Sequence, residues 1–303
     1  MFVAWLDWKF CDWSEIICRQ PDIGRGFAGL GRKKGRRLMA GTVFMLGGSA
    51  DIGRALIERY LAAGWNVAAT YRAPGSLADF EGRPGFRSLL LDLDKRESIE
   101  AAATEMEKLG WRWNLFIAAT GTLAPIGPFL EIDGEEWLQA IMNNGFLPCL
   151  VLKRLYPLRN PDGIVTAAFF AGGGVNNPFR NYSAYSASKL ALLKMCELLD
   201  DEISDLKCFI LGPGYTASKL HEATYAAGAK AGANLQKTRD FTATPGTSMD
   251  DIYACLEWCR SQDREVIGGR NISVVHDAWR HGGHELAAAL RRNPNLFKLR
   301  RSS

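Results

Sequence analysis

The chain has 303 residues, 47% of them hydrophobic, enough for one α/β domain with a full core. No apolar run approaches the roughly 18 residues that span a bilayer, so no membrane role is expected. The net charge of +4 comes entirely from residues 1–38, which hold eight Lys/Arg and four Asp/Glu; residues 39–303 hold 29 of each, which argues against nucleic acid as a partner.

Residues 1–38 carry Trp5, Trp8 and Trp13 and then a Gly/Arg/Lys-rich stretch, and are read as a disordered N-terminal extension. The alternative is an arm that meets a membrane surface or partner through its tryptophans and the basic cluster at 32–37. The seven cysteines form no Cys-x-x-Cys pair or Cys/His ligand set, so no metal site is expected; Cys255 and Cys259, at helical spacing, read as small buried hydrophobes. An odd cysteine count without a secretory signal points to a reducing, cytoplasmic compartment.

Residues 42–46 form a short apolar run suited to a buried parallel strand. They lead into Gly47-Gly48-Ser49-Ala50-Asp51-Ile52-Gly53, a helical pattern over 54–63 and a second buried strand over 65–70. In such a strand-loop-helix-strand unit the glycines let the backbone approach a pyrophosphate, and the helix N-terminus holds the negative charge. Arg72 lies 19 residues past Gly53. An acidic residue there would bind the ribose hydroxyls of NAD, whereas an Arg suits the extra phosphate of NADP, so NADP is expected ahead of NAD. A third strand over 88–91 ends at Asp92 and Leu93, a helix follows over 94–109, and a fourth strand over 114–117 runs into Ala118-Ala119-Thr120-Gly121. The alternation predicts a Rossmann-like, doubly wound parallel sheet in a single α/β domain.

Tyr185 and Lys189 are four residues apart, which stacks both side chains on one helix face. A cation near a phenol favours the phenolate, so the spacing predicts a lowered Tyr185 pKa and an acid/base tuned toward working pH.

Taken in order, these motifs resemble the short-chain dehydrogenase/reductases over residues 39–277. Gly47 to Gly53 match that family's glycine motif, with Asp51 at the middle glycine. Asp92 matches the acidic residue beside the adenine, and Ala118 to Gly121 a reduced Asn-Asn-Ala-Gly motif. Asn144, in a helix over 135–156, matches the helix-breaking asparagine that frees a carbonyl for a water in the proton relay. Tyr185 and Lys189 match Tyr-x-x-x-Lys, and Tyr182 is a decoy because Ser186 stands where its lysine would be. Pro213-Gly214 match the turn after the sixth strand, Ser218 stands where a Thr often binds the nicotinamide carboxamide, and residues 268–274 look like the last strand with its lead-in.

The resemblance implies an NADP-dependent oxidoreductase moving hydride between nicotinamide and a small-molecule carbonyl or secondary alcohol. Tyr185, Lys189 and Asn144 would be catalytic. Gly47, Ser49, Asp51, Ile52, Gly53, Arg72, Asp92, Leu93, Ala118, Gly121, Tyr185, Lys189, Pro213, Gly214 and Ser218 would contact the cofactor. The family's habit of pairing through the helices beginning near Glu135 and Tyr182 implies a homodimer or homotetramer.

The family places a Ser about 13 or 14 residues before the Tyr. That position falls at Ala171 or Gly172 here, with Ala171 taken as the replacement. Removing a comparable transition-state donor costs on the order of 10²–10³ in rate. Either another group substitutes, such as backbone N–H groups of Gly172-Gly173-Gly174 or the amides of Asn176 and Asn177, or a catalytically impaired NADP-binding sensor or scaffold remains. Residues 39–280 are read as the nucleotide-binding domain, with a substrate lobe at 215–248, and 281–303 as a C-terminal tail that opens with a short helix over 284–292 and ends in a peripheral basic stretch through Arg301. In the lobe, Tyr215, His221 and Tyr225 are candidates to face substrate.

Overall fold

Seven short, mostly apolar runs form strands: β1 Thr42–Leu46, β2 Asn66–Tyr71, β3 Phe86–Leu90, β4 Leu115–Ala118, β5 Val165–Phe170, β6 Leu206–Gly212 and β7 Asn271–Ser273. The computed structural model describes residues 41–301, so the reading of 1–38 lies outside the described residues. The strands pair in parallel in the order β3-β2-β1-β4-β5-β6-β7, as the doubly wound expectation requires.

Ten helices among the described residues connect and cover the sheet: α1 Asp51–Ala62, α2 Arg96–Leu109, α3 Gly134–Ile141, α4 Leu147–Leu155, α5 Ser183–Glu202, α6 Glu222–Ala227, α7 Ala233–Thr242, α8 Met249–Ser261, α9 Arg264–Ile267 and α10 Gly283–Arg292. Period-two alternation divides the strand residues between two apolar layers. Val43, Met45, Ile117, Ala168 and Phe170 pack with Leu56 and Ile57 of α1 and with Ile252, Cys255 and Cys259 of α8. Phe44, Leu46, Phe116, Phe169 and Ala171 pack on the opposite face with Met106 of α2, Leu152 of α4 and Leu192 of α5. Burial on both faces is why these strands read as unbroken apolar runs.

Three boundaries differ from the sequence reading. Helix α1 begins at Asp51, inside the glycine motif and three residues earlier than expected, because Arg54 N–H already bonds the Ala50 carbonyl at 2.8 Å. The helix expected over 135–156 is interrupted by a π-helical turn, Met142–Phe146, between α3 and α4. The helix expected over 284–292 forms as α10 and joins the core, since Leu290 is fully buried and Leu286 and Ala287 pack with it, and the core reaches past the helix to Leu296 in the stretch read as peripheral. The cause is Arg270, buried beside β7, whose guanidinium donates to the carbonyls of Leu290 (2.8 Å), Leu296 (2.9 Å) and Asn293 (3.1 Å). A buried guanidinium needs several acceptors, and this chain end supplies them.

Candidate active site

The chain leaves β3 and returns through α2 to β4, which lies on the other side of β1, so the sheet's switch point opens between the carboxyl ends of β1 and β4. The loops after these two strands meet there. Gly47 has φ +83°, and a methyl on it would lie 2.8 Å from Thr120 Cγ2 and 3.1 Å from the Ala119 carbonyl carbon. A methyl on Gly53 would overlap the Gly47 carbonyl oxygen and sit 3.0 Å from Gly48 Cα. Only glycine fits either place. Thr70, at the end of β2, was not singled out in the sequence; its hydroxyl accepts the Gly47 N–H at 2.8 Å and fixes the loop. Ser49 and Ile52 are half-buried beside it, and Ile52 packs onto the apolar layer.

Asp51 occupies the first turn of α1, where its carboxylate accepts the backbone N–H of Lys219 at 2.7 Å. That bond ties the glycine loop to the segment containing Ser218, which precedes a short 3-10 turn at Lys219–His221. Arg72 lies exposed just past β2. Arg54, a second cation near the loop, is occupied: it donates to the Ser76 carbonyl, pairs with Asp79 and lies 5.0 Å over the Phe80 ring. Asp92 follows β3, its N–H bonded to Ser98 Oγ at 2.8 Å and its carboxylate accepting the Asp94 N–H at 3.3 Å, with Leu93 packed on the apolar layer behind it. Ala118 ends β4, buried. Pro213 and Gly214 follow β6; Gly214 has φ +73°, and a methyl there would meet Val275 Cγ2 at 2.5 Å and Thr247 Oγ1 at 2.6 Å.

Tyr185 and Lys189 share the buried face of α5, with exposures of 5% and 3%. The Lys189 ammonium donates to the Phe170 carbonyl at 3.0 Å and lies 5.9 Å from the Tyr185 ring centroid. Burial pushes the Tyr185 phenol up to about 12 and the Lys189 amine down to about 8. The expected lowering of the phenol pKa is therefore corrected: in this cleft desolvation of the phenolate dominates, and the cation points at a carbonyl. Asn144 is buried in the π-helical turn, where it braces the loop after β4. Its Oδ1 accepts the Thr122 N–H and its Nδ2 donates to the Thr122 carbonyl, both at 2.8 Å. Gly121 lies between the two groups, since a methyl on it would sit 3.7 Å from Asn144 Oδ1 and 3.9 Å from Lys189 Nζ. The turn's extra residue brings Gly145 onto α5, where a methyl would lie 3.0 Å from the Ser188 carbonyl oxygen. In the sequence the turn is marked by Gly145 directly after the pair Asn143-Asn144, beside the helix-breaking role implied for Asn144.

Ala171 does not face the phenol. It packs into the layer formed with α4 and α5, and its N–H bonds the Leu211 carbonyl at 2.9 Å. The residue opposite Tyr185 is Gly172: a methyl on it would overlap the hydroxyl and lie 2.5 Å from Cζ and 2.6 Å from Cε1. The sequence assignment shifts by one residue because the chain has turned off the strand there.

Leu123, Ile126, Tyr182, Tyr185 and Ala231 form a third apolar cluster, joined by Phe179 and Leu220. Tyr182 is structural, stacked on Phe179 at 4.1 Å with its hydroxyl on Thr224 Oγ1 at 2.9 Å. Within the lobe, Tyr215 packs on His221 (4.6 Å) and Phe241 (5.0 Å), and the Tyr225 hydroxyl meets Thr242 Oγ1 at 2.8 Å. The three candidates thus make contacts with the lobe itself.

The loop geometry fits a dinucleotide. Two glycines hold the backbone where no Cβ can stand, the N-terminus of α1 follows directly in that loop, and the buried hydroxyl of Thr120, whose methyl lies toward Gly47, has no partner among the described residues. Comparison with known proteins agrees. Residues 41–228 match the family model described as short chain dehydrogenase. The short chain dehydrogenase pigC of Monascus ruber is 27% identical over 253 residues, covering 78% of this chain and 79% of its own. Two solved structures share the fold: a short chain dehydrogenase of Shigella flexneri complexed with NADP (TM-score 0.65, 20% identity, 78% of this chain and 98% of that one), and a 4-hydroxyisoleucine dehydrogenase complexed with NADH (TM-score 0.64, 20% identity, 77% and 96%). With more than half its length matched by that model and the switch-point crevice in place, this chain belongs to the short-chain dehydrogenase family of NAD(P)-dependent oxidoreductases.

Proposed function

We propose that the protein is an NADP-dependent oxidoreductase that interconverts a small-molecule carbonyl and the corresponding secondary alcohol. The observation that carries this reading is the Tyr185 phenol in an apolar cleft, one helical turn from the buried Lys189 ammonium, beside the crevice at the strand ends. The nicotinamide supplies the hydride chemistry, and the protein supplies orientation and a proton. Tyr185 Oη gives its proton to the substrate oxygen in reduction and takes it back in oxidation. Lys189 would hold the nicotinamide ribose, with its ammonium 5.9 Å from the centre of the phenol ring. Asn144 holds the loop around Gly121, and its π-helical turn would offer a backbone carbonyl to a water leading to Lys189.

Gly47, Ser49, Asp51, Ile52 and Gly53 would hold the pyrophosphate side, Asp92, Leu93 and Ala118 the adenosine side, and Gly121, Pro213, Gly214 and Ser218 the nicotinamide side. Arg72 favours NADP over NAD: it is exposed past β2, free to meet a ribose phosphate. The NADP-complexed relative supports this choice and the NADH-complexed one shows that both cofactors suit the fold. Leu138, Met142, Leu150, Leu190 and Leu198 on α3, α5 and the segment between are exposed, which supports a homo-oligomer formed through these helices. The five described cysteines are buried free thiols, in keeping with a reducing compartment such as the cytoplasm. Among the described residues no helix is long and apolar enough to cross a membrane.

One observation favours a second reading, a sensor or scaffold that binds NADP without turnover: Gly172 offers no hydroxyl beside the phenol. Nicotinamide fluorescence on adding NADPH reports binding under both readings. Turnover of NADPH against a panel of aldehydes and ketones, lost in Tyr185→Phe, supports the oxidoreductase; binding without turnover supports the sensor.

A further inference from the structure

We propose that the absence of a side chain at Gly172 positions Tyr185, so that placing a serine there expels the phenol instead of repairing the site. As a statement about catalysis this rests on Tyr185 as proton donor; the seating of the ring does not depend on that reading.

The geometry leaves the ring little freedom. A Cβ on residue 172 would fall within 2.6 Å of three phenol atoms, far inside any non-bonded contact. The ring cannot retreat into the protein, because Phe179 packs edge-on against it at 6.5 Å and Lys189 Nζ lies 5.9 Å from its centroid. Phe179 is itself stacked on the fully buried Tyr182. The loop cannot give way easily either. Ala171 N–H and the Phe170 carbonyl are bonded to Leu211 and Lys189 at 2.9 and 3.0 Å. Two residues on, Gly174 has φ +85°, and a methyl there would lie 2.8 Å from Ser186 Cβ and 2.9 Å from Phe179 Cβ. The glycine run is thus moulded against α5. What yields to a new side chain is the Tyr185 ring, outward into the cleft. A substrate oxygen beside the phenol accordingly meets the backbone of residues 172–174 where the family pattern would have it meet a hydroxyl.

The test uses the full chain labelled with [13Cζ]tyrosine, the Tyr185 signal being identified by its loss in Tyr185→Phe. In Gly172→Ala and Gly172→Ser that signal moves, and its titration midpoint falls from about 12 toward the ordinary phenol value as the ring gains water. Turnover falls about 100-fold while the NADPH KM stays within about threefold. Where the single variant does not fold, pairing it with Tyr185→Ala restores folding, because the collision is with the ring. An unmoved Tyr185 signal and midpoint, a Gly172→Ser chain as fast as the parent, or a fold lost equally with and without the ring would each overturn the proposal. A parent chain without turnover would sink the oxidoreductase reading alone, leaving the resonance to decide this one.

Discussion

Lys189 gives its hydrogen bond to Phe170, the last residue of β5, and not to the phenol one turn earlier on its own helix. The carbonyl at the strand end holds the ammonium beside Gly121 in the loop after β4, and burial disfavours its charge.

That burial makes a stability prediction with a definite sign. A lysine lowered from 10.5 to about 8 is neutral in the folded chain over a range where the unfolded chain is still protonated. Stability from this group is therefore fully present above about pH 10.5 and is lost as pH falls through about 8, up to about 3 kcal/mol in all. Lys207, buried on the carbonyls of Arg260 and Gln262 and also lowered to about 8, adds the same trend. Buried thiols such as Cys149 and Cys208, raised by burial, pull the other way over the same range, so the test is the difference between chains: between pH 8 and 10 the urea midpoint of the parent should gain on that of Lys189→Met. An identical slope in the variant contradicts the burial argument.

Arg72 should set the cofactor preference. With Arg72→Glu the NADPH KM should rise 10- to 100-fold, roughly the loss of one charged phosphate contact of 1.5–3 kcal/mol with added repulsion. NADH use should change by less than about threefold. Steady-state kinetics with both cofactors check this, and an unchanged preference would transfer the role elsewhere.

Replacing Asn144 by Ala leaves the Thr122 N–H and carbonyl without their partner in a half-buried loop. A loss of about 1–3 kcal/mol is expected in chemical denaturation. Turnover should fall with it, because the same loop carries Gly121 next to Lys189.

The exposed leucines of α3 and α5 give a test of assembly. Leu138→Glu with Leu198→Glu should convert a dimer or tetramer to monomer in light scattering, with the circular-dichroism spectrum kept. A parent chain that is already monomeric rejects the interface.

How far the sequence carried the fold is clearest at β1 and β4. Their unbroken apolar runs announce strands buried on both faces, and the glycines after β1 announce a loop that must pass close to another backbone. Tyr185 and Lys189 were legible for a similar reason, because helical spacing alone puts them on one face. What stayed hidden depends on groups distant in sequence. The phenol pKa is decided by the cluster from Leu123 to Ala231 that closes over it, and the lysine's partner is a carbonyl 19 residues away. The one-residue shift from Ala171 to Gly172 follows the exact point where β5 ends, which strand composition does not mark. Likewise Arg270 reads as an ordinary charge until the carbonyls of residues 290–296 are brought around it.

The most direct measurement is NADPH consumption with a carbonyl panel by the parent and by Tyr185→Phe, with NADPH binding followed by fluorescence in both. The account predicts turnover in the parent, a loss of about 10²–10⁴-fold on removing the one hydroxyl, and binding unchanged within about threefold. A phenylalanine variant that reduces the same carbonyl at the parent's rate would contradict it.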